Sequence, residues 1–183
     1  MGLVFLVVIL FATGIFSVRM YNMLVRARFL VKEAYSGIDV QLKRRHDLIP
    51  KIVDTVKGYA QYEKTLLEKV TSLRSQFSAA NPLSERIKSE NELAGALRSV
   101  FALSEAYPDL KANQSFLQLQ STLSEIEDQI QMSRRYYNGT VRDYNVLTGQ
   151  FPSNIIASFF NFKPEGFFEL EYATQRQSPD VTF

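Results

Sequence analysis

An apolar segment at the start of the chain restricts what this sequence can fold into more than any other feature. Residues 2–18 read GLVFLVVILFATGIFSV, seventeen positions without a charged side chain. A bilayer core of about 30 Å needs roughly 20 helical residues, and the long side chain of Arg19 extends the usable length by reaching back to the interface. The segment predicts a transmembrane anchor over residues 1–18.

A cleaved secretory signal is the alternative interpretation of such a segment. Signal peptides carry basic residues before the apolar run and a small-residue cleavage pattern after it. Here the apolar run follows Met1 directly, and no A-x-A pattern comes after it. The sequence therefore favours an anchor that is not cleaved.

The cations beside this segment predict its orientation. Arg19, Arg26, Arg28 and Lys32 all lie on its C-terminal side, and no charged side chain precedes it. The positive-inside rule then places the C-terminal side in the cytoplasm and the N-terminus outside. We expect Arg19, Tyr21 and Arg26 to lie at the membrane interface, where arginines and tyrosines are favoured.

Beyond the anchor, apolar residues recur every three or four positions, which is typical of amphipathic helices. Such helices joined by short turns predict an all-α fold, in which a single N-terminal transmembrane helix continues into an antiparallel four-helix bundle over residues 19–151. The predicted bundle helices cover about 19–45, 48–78, 84–105 and 111–150.

The boundary between the first two of these helices depends on a proline. The apolar stripe that begins at Tyr21 runs to Leu42, so we expect the transmembrane helix to continue unbroken into the first bundle helix. Asp47 is a suitable N-cap for a new helix, and Pro50 is tolerated in a first helical turn. The sequence therefore predicts a turn near Arg45–Ile49.

The C-terminal tail, residues 152–183, is too aromatic for a linker. It contains three prolines and six phenylalanines, at positions 159, 160, 162, 167, 168 and 183. One interpretation is a strap that lies over the bundle and covers an apolar groove, because a solvated run of this kind would be an exposed patch. The other is an adhesive segment for the bilayer surface or for a second subunit.

The fourth predicted helix has a sustained 3.5-residue apolar period, which is typical of coiled-coil packing. It is longer than its predicted partners, so one end is free to contact a neighbouring subunit or the tail. The candidate residues for assembly or tail docking are Tyr137, Tyr144, Phe151, Phe167 and Phe168.

The densest polar cluster contains consecutive cations at Lys43, Arg44 and Arg45, followed by His46. Cations beside the amide-rich start of a helix are a candidate site for a phosphate or a phospholipid headgroup. The plainer interpretation is a solvated turn whose cations complement a helix C-terminus. No Gly-rich loop accompanies the cluster, which favours the plainer interpretation.

Composition removes several classes of function. The net charge of +2 argues against a nucleic-acid binder with a large basic field. The absence of Cys excludes disulfides, thiolate metal sites and Cys nucleophiles, and a lone His cannot form a histidine-based metal site. We therefore predict no catalytic residue, no metal site and no cofactor, and expect the lipid bilayer as a partner.

Several segments resemble the LemA family in the same order along the chain. The longest is the run at 21–63, which begins with YNMLVRARFLVKEAYSGIDVQLKRRHDLIPKIV and ends with GYAQYE. The others are AYPDLKANQSFLQLQ at 106–120, RRYYNGTVRDYN at 134–145, and the ending with FP, GFFE and PDVTF. The resemblance implies a single-pass protein of the bacterial inner membrane with a cytoplasmic helical bundle. It brings no catalytic activity, and one branch with a LemA-like domain is associated with magnetosome membrane biogenesis.

Two functions follow as hypotheses. The first is a non-enzymatic, membrane-anchored scaffold that forms homo-oligomers through its long helices and organises or remodels the inner membrane. The second is a phosphate- or phospholipid-binding regulatory module that uses the basic turn at 43–46.

Overall fold

The computed structural model describes residues 1–59, 63–75 and 83–168, which form two compact units. Unit 1 consists of Met1–Asp39 and Met132–Phe167, and unit 2 contains Phe168 and the described residues of Val40–Gln131. Residues 169–183, which make up much of the predicted tail, lie outside the described residues.

Most of the described residues are helical and none lies in a strand, so the predicted all-α class and the long apolar N-terminal helix are confirmed. The antiparallel four-helix arrangement stays a prediction. The helices are α1 (Gly2–Lys57), α2 (Lys64–Ser75), α3 (Leu83–Leu103), α4 (Pro108–Lys111), α5 (Gln114–Gly149) and α6 (Ser153–Phe159), with a 3₁₀ turn at Ser104–Ala106.

The first helix does not stop where the sequence predicted. α1 is continuous for 56 residues, so the apolar segment does run into the following helix as expected. The predicted turn near Arg45–Ile49 is wrong, because α1 passes through these positions with Pro50 inside it. The predicted helix 48–78 is therefore split between the end of α1 and α2, and residues 76–78 lie outside the described residues.

The continuity of α1 at Pro50 has a physical explanation in α2. A proline inside a helix has no N–H, so the carbonyl four residues earlier loses its usual donor. That carbonyl belongs to His46, and the Nε of Arg74 donates a hydrogen bond to it at 3.0 Å. The Arg74 side chain on α2 thus donates the hydrogen bond that residue 50, a proline, cannot donate.

In unit 1 the core lies between α1 and the second half of α5. The buried α1 residues Leu24, Val31 and Ile38 are seven positions apart, as expected for one face of a helix. Tyr137, Val141 and Tyr144 form the buried face of α5. The rings of Tyr35 and Tyr137 lie 5.7 Å apart.

Unit 2 has a larger apolar core to which α1, α2, α3 and α5 all contribute. Each helix buries residues at a spacing of three or four, so the periodicity of the sequence corresponds to real core positions. These residues include Leu42, Ile49, Ile52 and Val56 of α1, Leu67 and Val70 of α2, Leu93, Leu97 and Val100 of α3, and Phe116, Ile126 and Ile130 of α5.

The hydrogen bond from Arg74 generates a testable prediction. We expect Arg74→Met to lower the free energy of unfolding of the full chain by about 1 to 2 kcal/mol, because it removes the hydrogen bond that Arg74 donates to the His46 carbonyl. In a Pro50→Ala background the new N–H of residue 50 bonds that carbonyl, so the same substitution costs less. Urea unfolding of the unsubstituted chain, the two single variants and the double variant, all in one detergent, measures the free energies of unfolding. An equal loss on Arg74→Met with Pro50 and with Ala at position 50 would contradict this explanation.

Candidate functional site

The structure separates the cations that the sequence placed in one turn. Successive helical residues point about 100° apart, so a continuous α1 cannot present Lys43, Arg44 and Arg45 on one face. The exposed Lys43 pairs with Asp47 at 2.9 Å, and the exposed Arg44 donates to Gln41 at 3.1 Å.

Arg45 lies inside unit 2, with 0% of its surface exposed. Its guanidinium is therefore unavailable to an external anion, and the prediction of an anion site made by Lys43, Arg44 and Arg45 together is corrected. His46 is buried next to it.

The buried charge cluster consists of Arg45, His46, Glu90 and Glu127. Arg45 donates to the carboxylate of Glu90 in α3 through Nη2, and to Glu127 in α5 through Nη1 at 2.7 Å. The Nε2 of His46 lies 2.8 Å from Oε1 of Glu90. An ionised carboxylate only accepts hydrogen bonds, so His46 is the donor in this contact.

These contacts also set the charge of Glu90. Burial alone raises the pKa of the Glu90 carboxyl, but the hydrogen bond from His46 and the positive charge of Arg45 outweigh it. The pKa consequently lies below its ordinary value of 4.5, and Glu90 is ionised at neutral pH. The cluster thus neutralises a buried cation with one buried and one half-buried carboxylate.

The cluster is suited to structure rather than to chemistry. The Glu90 carboxylate and the Arg45 guanidinium bond each other, and Glu90 is almost completely buried. A substrate therefore cannot reach the Glu90 carboxylate. Within residues 1–59, 63–75 and 83–168, no group of three or more His, Asp or Glu side chains is placed to hold a metal ion. The arrangement joins α1, α3 and α5 in one register.

Sequence reasoning missed Glu90 and Glu127, although a signal for Arg45 was present. Ile38, Leu42, Arg45, Ile49 and Ile52 follow one another at alternating spacings of four and three. A cation on such a stripe requires a buried carboxylate. Treating Pro50 as the start of a helix interrupted the stripe and hid this signal.

The predicted interface residues lie on α1 in unit 1. Arg19 and Arg26 are exposed, and the ring of Tyr21 contacts the start of the Phe-rich tail. Its centroid lies 4.7 Å from that of Phe160 and 5.7 Å from that of Phe162.

The tail residues as far as 166 are held against α5 by polar contacts within unit 1. The hydroxyl of Tyr137 donates to the carbonyl of Gly166 at 2.9 Å. The side chain of Asn145 bonds both the N–H and the carbonyl of Glu165, each at 2.9 Å. Burial, with the negative charge of Glu165, raises the pKa of Tyr137 to about 12, so its hydroxyl keeps the proton it donates.

The structure places the other docking candidates differently. Tyr144 is buried in the core of unit 1, and Phe168 is buried in unit 2. Phe151 and Phe167 are exposed. Asn145, which sequence reasoning did not single out, is a docking residue because its amide imitates the donor and acceptor of a neighbouring strand.

Comparison with known proteins identifies the relatives of this chain. Residues 34–183 match the model of the LemA family. Protein LemA of Metamycoplasma hominis is 33% identical over 146 residues, which cover 76% of this chain and 61% of that protein.

More distant matches carry magnetosome names. Magnetosome protein MamQ 2 of Paramagnetospirillum magneticum is 21% identical over 81% of this chain and 64% of its own length. Magnetosome protein MamQ of Magnetospirillum gryphiswaldense is 20% identical over 80% of this chain and 61% of its own length. The chain thus spans a little over three fifths of the curated relatives it matches.

The buried charge cluster predicts an acid-sensitive stability. Because folding lowers the pKa of Glu90, its contribution is complete above about pH 4.5 and is lost as the pH falls through the folded-state pKa. We expect Glu90→Gln to lower the free energy of unfolding at neutral pH by about 3 to 5 kcal/mol, because it removes one partner of a buried ion pair. The variant loses less of its remaining stability on acidification than the unsubstituted chain.

Glu92→Gln is the matched control, since Glu92 is exposed on the same helix. It is expected to change the free energy of unfolding by less than about 0.5 kcal/mol. Urea unfolding of the full chain in detergent, at neutral pH and at several values below 4.5, measures both variants. Indistinguishable results for the two would show that Glu90 is not the buried partner of Arg45.

Proposed function

Because this chain belongs to the LemA family, we propose that it is a non-enzymatic, membrane-anchored helical scaffold that assembles with copies of itself. In this proposal the helices form an antiparallel bundle on the cytoplasmic side of the bacterial inner membrane, and the N-terminus lies outside. The scaffold organises or remodels that membrane.

One observation carries the proposal: α1 supplies both the apolar segment and part of the core. The most apolar window of this helix has none of its residues buried, so its side chains need an apolar environment that the described part of the chain does not provide. A lipid bilayer supplies that environment. From Leu24 onward the same helix contributes buried residues, so the anchor and the helical core are one covalent element.

The flanking charges support the proposed orientation. Arg19, Arg26 and Lys32 are exposed on α1 after the apolar segment, as required for the cytoplasmic side under the positive-inside rule. The magnetosome names of the more distant relatives agree with the membrane role that the family resemblance implies.

An exposed stripe on α5 supports self-association. Met132, Tyr136 and Val146 are large, exposed and within about 80° of one another around the helix. The one charge on this face, Asp143, is paired with Arg142 at 3.1 Å. Gly139 lies on the same stripe, and an added Cβ there would meet no atom within 4 Å, so the backbone is open to close approach. Copies anchored in one membrane share an orientation, and this stripe in unit 1 is the proposed contact between them.

Light scattering of the full chain in detergent micelles tests the proposal. We expect the protein to be larger than a monomer at micromolar concentration, and Tyr136→Glu to make it monomeric because a charge would be buried in the contact. Gln131→Glu adds the same charge at an exposed position about 140° around the helix from Tyr136 and is expected to leave assembly unchanged.

The melting temperature of each variant separates loss of assembly from loss of fold. An unsubstituted chain that remains monomeric over a wide concentration range would contradict the scaffold function. A Tyr136→Glu variant that assembles normally would contradict the α5 stripe as the contact.

A further inference from the structure

The region around α6 presents an apolar surface that residues 1–59, 63–75 and 83–168 leave exposed. Ser153 and Ala157 form the buried face of this helix, one turn apart. Phe151, just before the helix, is 79% exposed, Ile155 is 58% exposed and Phe159 is 81% exposed. These three residues are spaced by four and, together with the half-exposed Phe160, form the Phe-rich surface.

The turn after α6 fixes the direction in which the chain leaves this surface. Asn161 adopts a left-handed conformation with φ of 58°. Its N–H bonds the carbonyl of Ser158 at 3.2 Å, and the N–H of Phe162 bonds the carbonyl of Ala157 at 2.8 Å. This pair of bonds is the Schellman motif, which ends a helix and redirects the chain. The Phe-rich surface is therefore held by a defined backbone, not by a loose tail.

A continuous series of ring contacts joins this surface to the end of the apolar segment. Phe159 lies 5.0 Å from Phe160, and Phe160 lies 4.7 Å from Tyr21, measured between ring centroids. Tyr21 follows Val18 by three residues, which is about 4.5 Å along a helix. The Phe-rich surface thus lies within unit 1 at the level where α1 would leave the hydrocarbon.

The charged residues near the Phe-rich surface are of the kind found at a membrane interface. Residues 150–164 contain no acidic side chain and one cation, Lys163. Residues 19–32 of α1 likewise contain cations and no acidic side chain. Aromatic and apolar side chains bordered by cations are typical of segments that lie in the headgroup region of anionic bilayers.

We infer that the Phe-rich surface is a second membrane contact, which inserts into the headgroup region of the leaflet from which α1 emerges. This inference rests on the proposed membrane anchoring. The occupant is lipid because the surface is continuous, through Tyr21, with the segment that requires lipid. Phe151, Ile155 and Phe159 enter the boundary between headgroups and acyl chains, while Ser153 and Ala157 hold the helix on its own unit.

The absence of Trp from the chain allows a direct test. Single-reporter variants Phe159→Trp and Phe151→Trp of the full chain are reconstituted into vesicles of phosphatidylcholine and phosphatidylglycerol. A fraction of the lipid carries bromine near the headgroup end of its acyl chains. Ser36→Trp is the control, since Ser36 is also exposed in unit 1 but lies about 22 Å along α1 beyond Tyr21, outside both the Phe-rich surface and the α5 stripe.

The expected result is loss of most of the emission of Phe159→Trp and Phe151→Trp in brominated vesicles, with emission maxima at shorter wavelength than in water. The emission of Ser36→Trp stays unquenched. Unquenched emission from both Phe-rich reporters in vesicles that carry the protein would overturn the inference, and a blue-shifted but unquenched signal would assign the surface to a second copy.

Flotation of the vesicles separates this inference from the proposed anchoring. Protein that floats with the vesicles but shows no quenching contradicts the second membrane contact alone. Protein that does not float contradicts the anchoring, and the inference falls with it.

Discussion

The structure of unit 2 depends on the neutralisation of the buried Arg45. Arg45 is carried into the core by the apolar stripe of α1, where an unpaired charge would cost several kcal/mol. Glu90 and Glu127 supply the opposite charges from α3 and α5, and His46 completes the bonding of Glu90. Because each partner comes from a different helix, the pairing fixes the register of three helices at once.

That pairing requires α1 to remain helical beyond Arg45, and the continuity of α1 also underlies the proposed function. A proline within a helix costs about 3 kcal/mol when nothing compensates it. Arg74 compensates by donating to the carbonyl that Pro50 leaves without a partner. The result is one helix, Gly2–Lys57, that carries both the apolar segment and residues of the core of unit 2.

Much of the fold was predictable from local patterns, and the remainder depends on distant residues. The periodicity placed α3 and α5 within a few residues of their observed ends, because burial of one helix face determines both. The effect of Pro50 was not predictable, since the compensating donor lies 28 residues after His46. α6 escaped prediction because seven residues give little periodic signal. The contacts of Asn145 were not predictable either, because they are made to the backbone of Glu165, and backbone groups are the same for every residue type.

The central claim is that α1 is one helix through residues 45–49, and an electron–electron distance measurement tests it most directly. The chain contains no Cys, so Lys43→Cys together with Lys57→Cys gives a full-length protein with two spin labels at exposed sites. The account predicts a narrow distribution near the helical separation of about 21 Å between the two Cα atoms. A broad distribution centred well below that value would show a turn at these positions and would contradict the account.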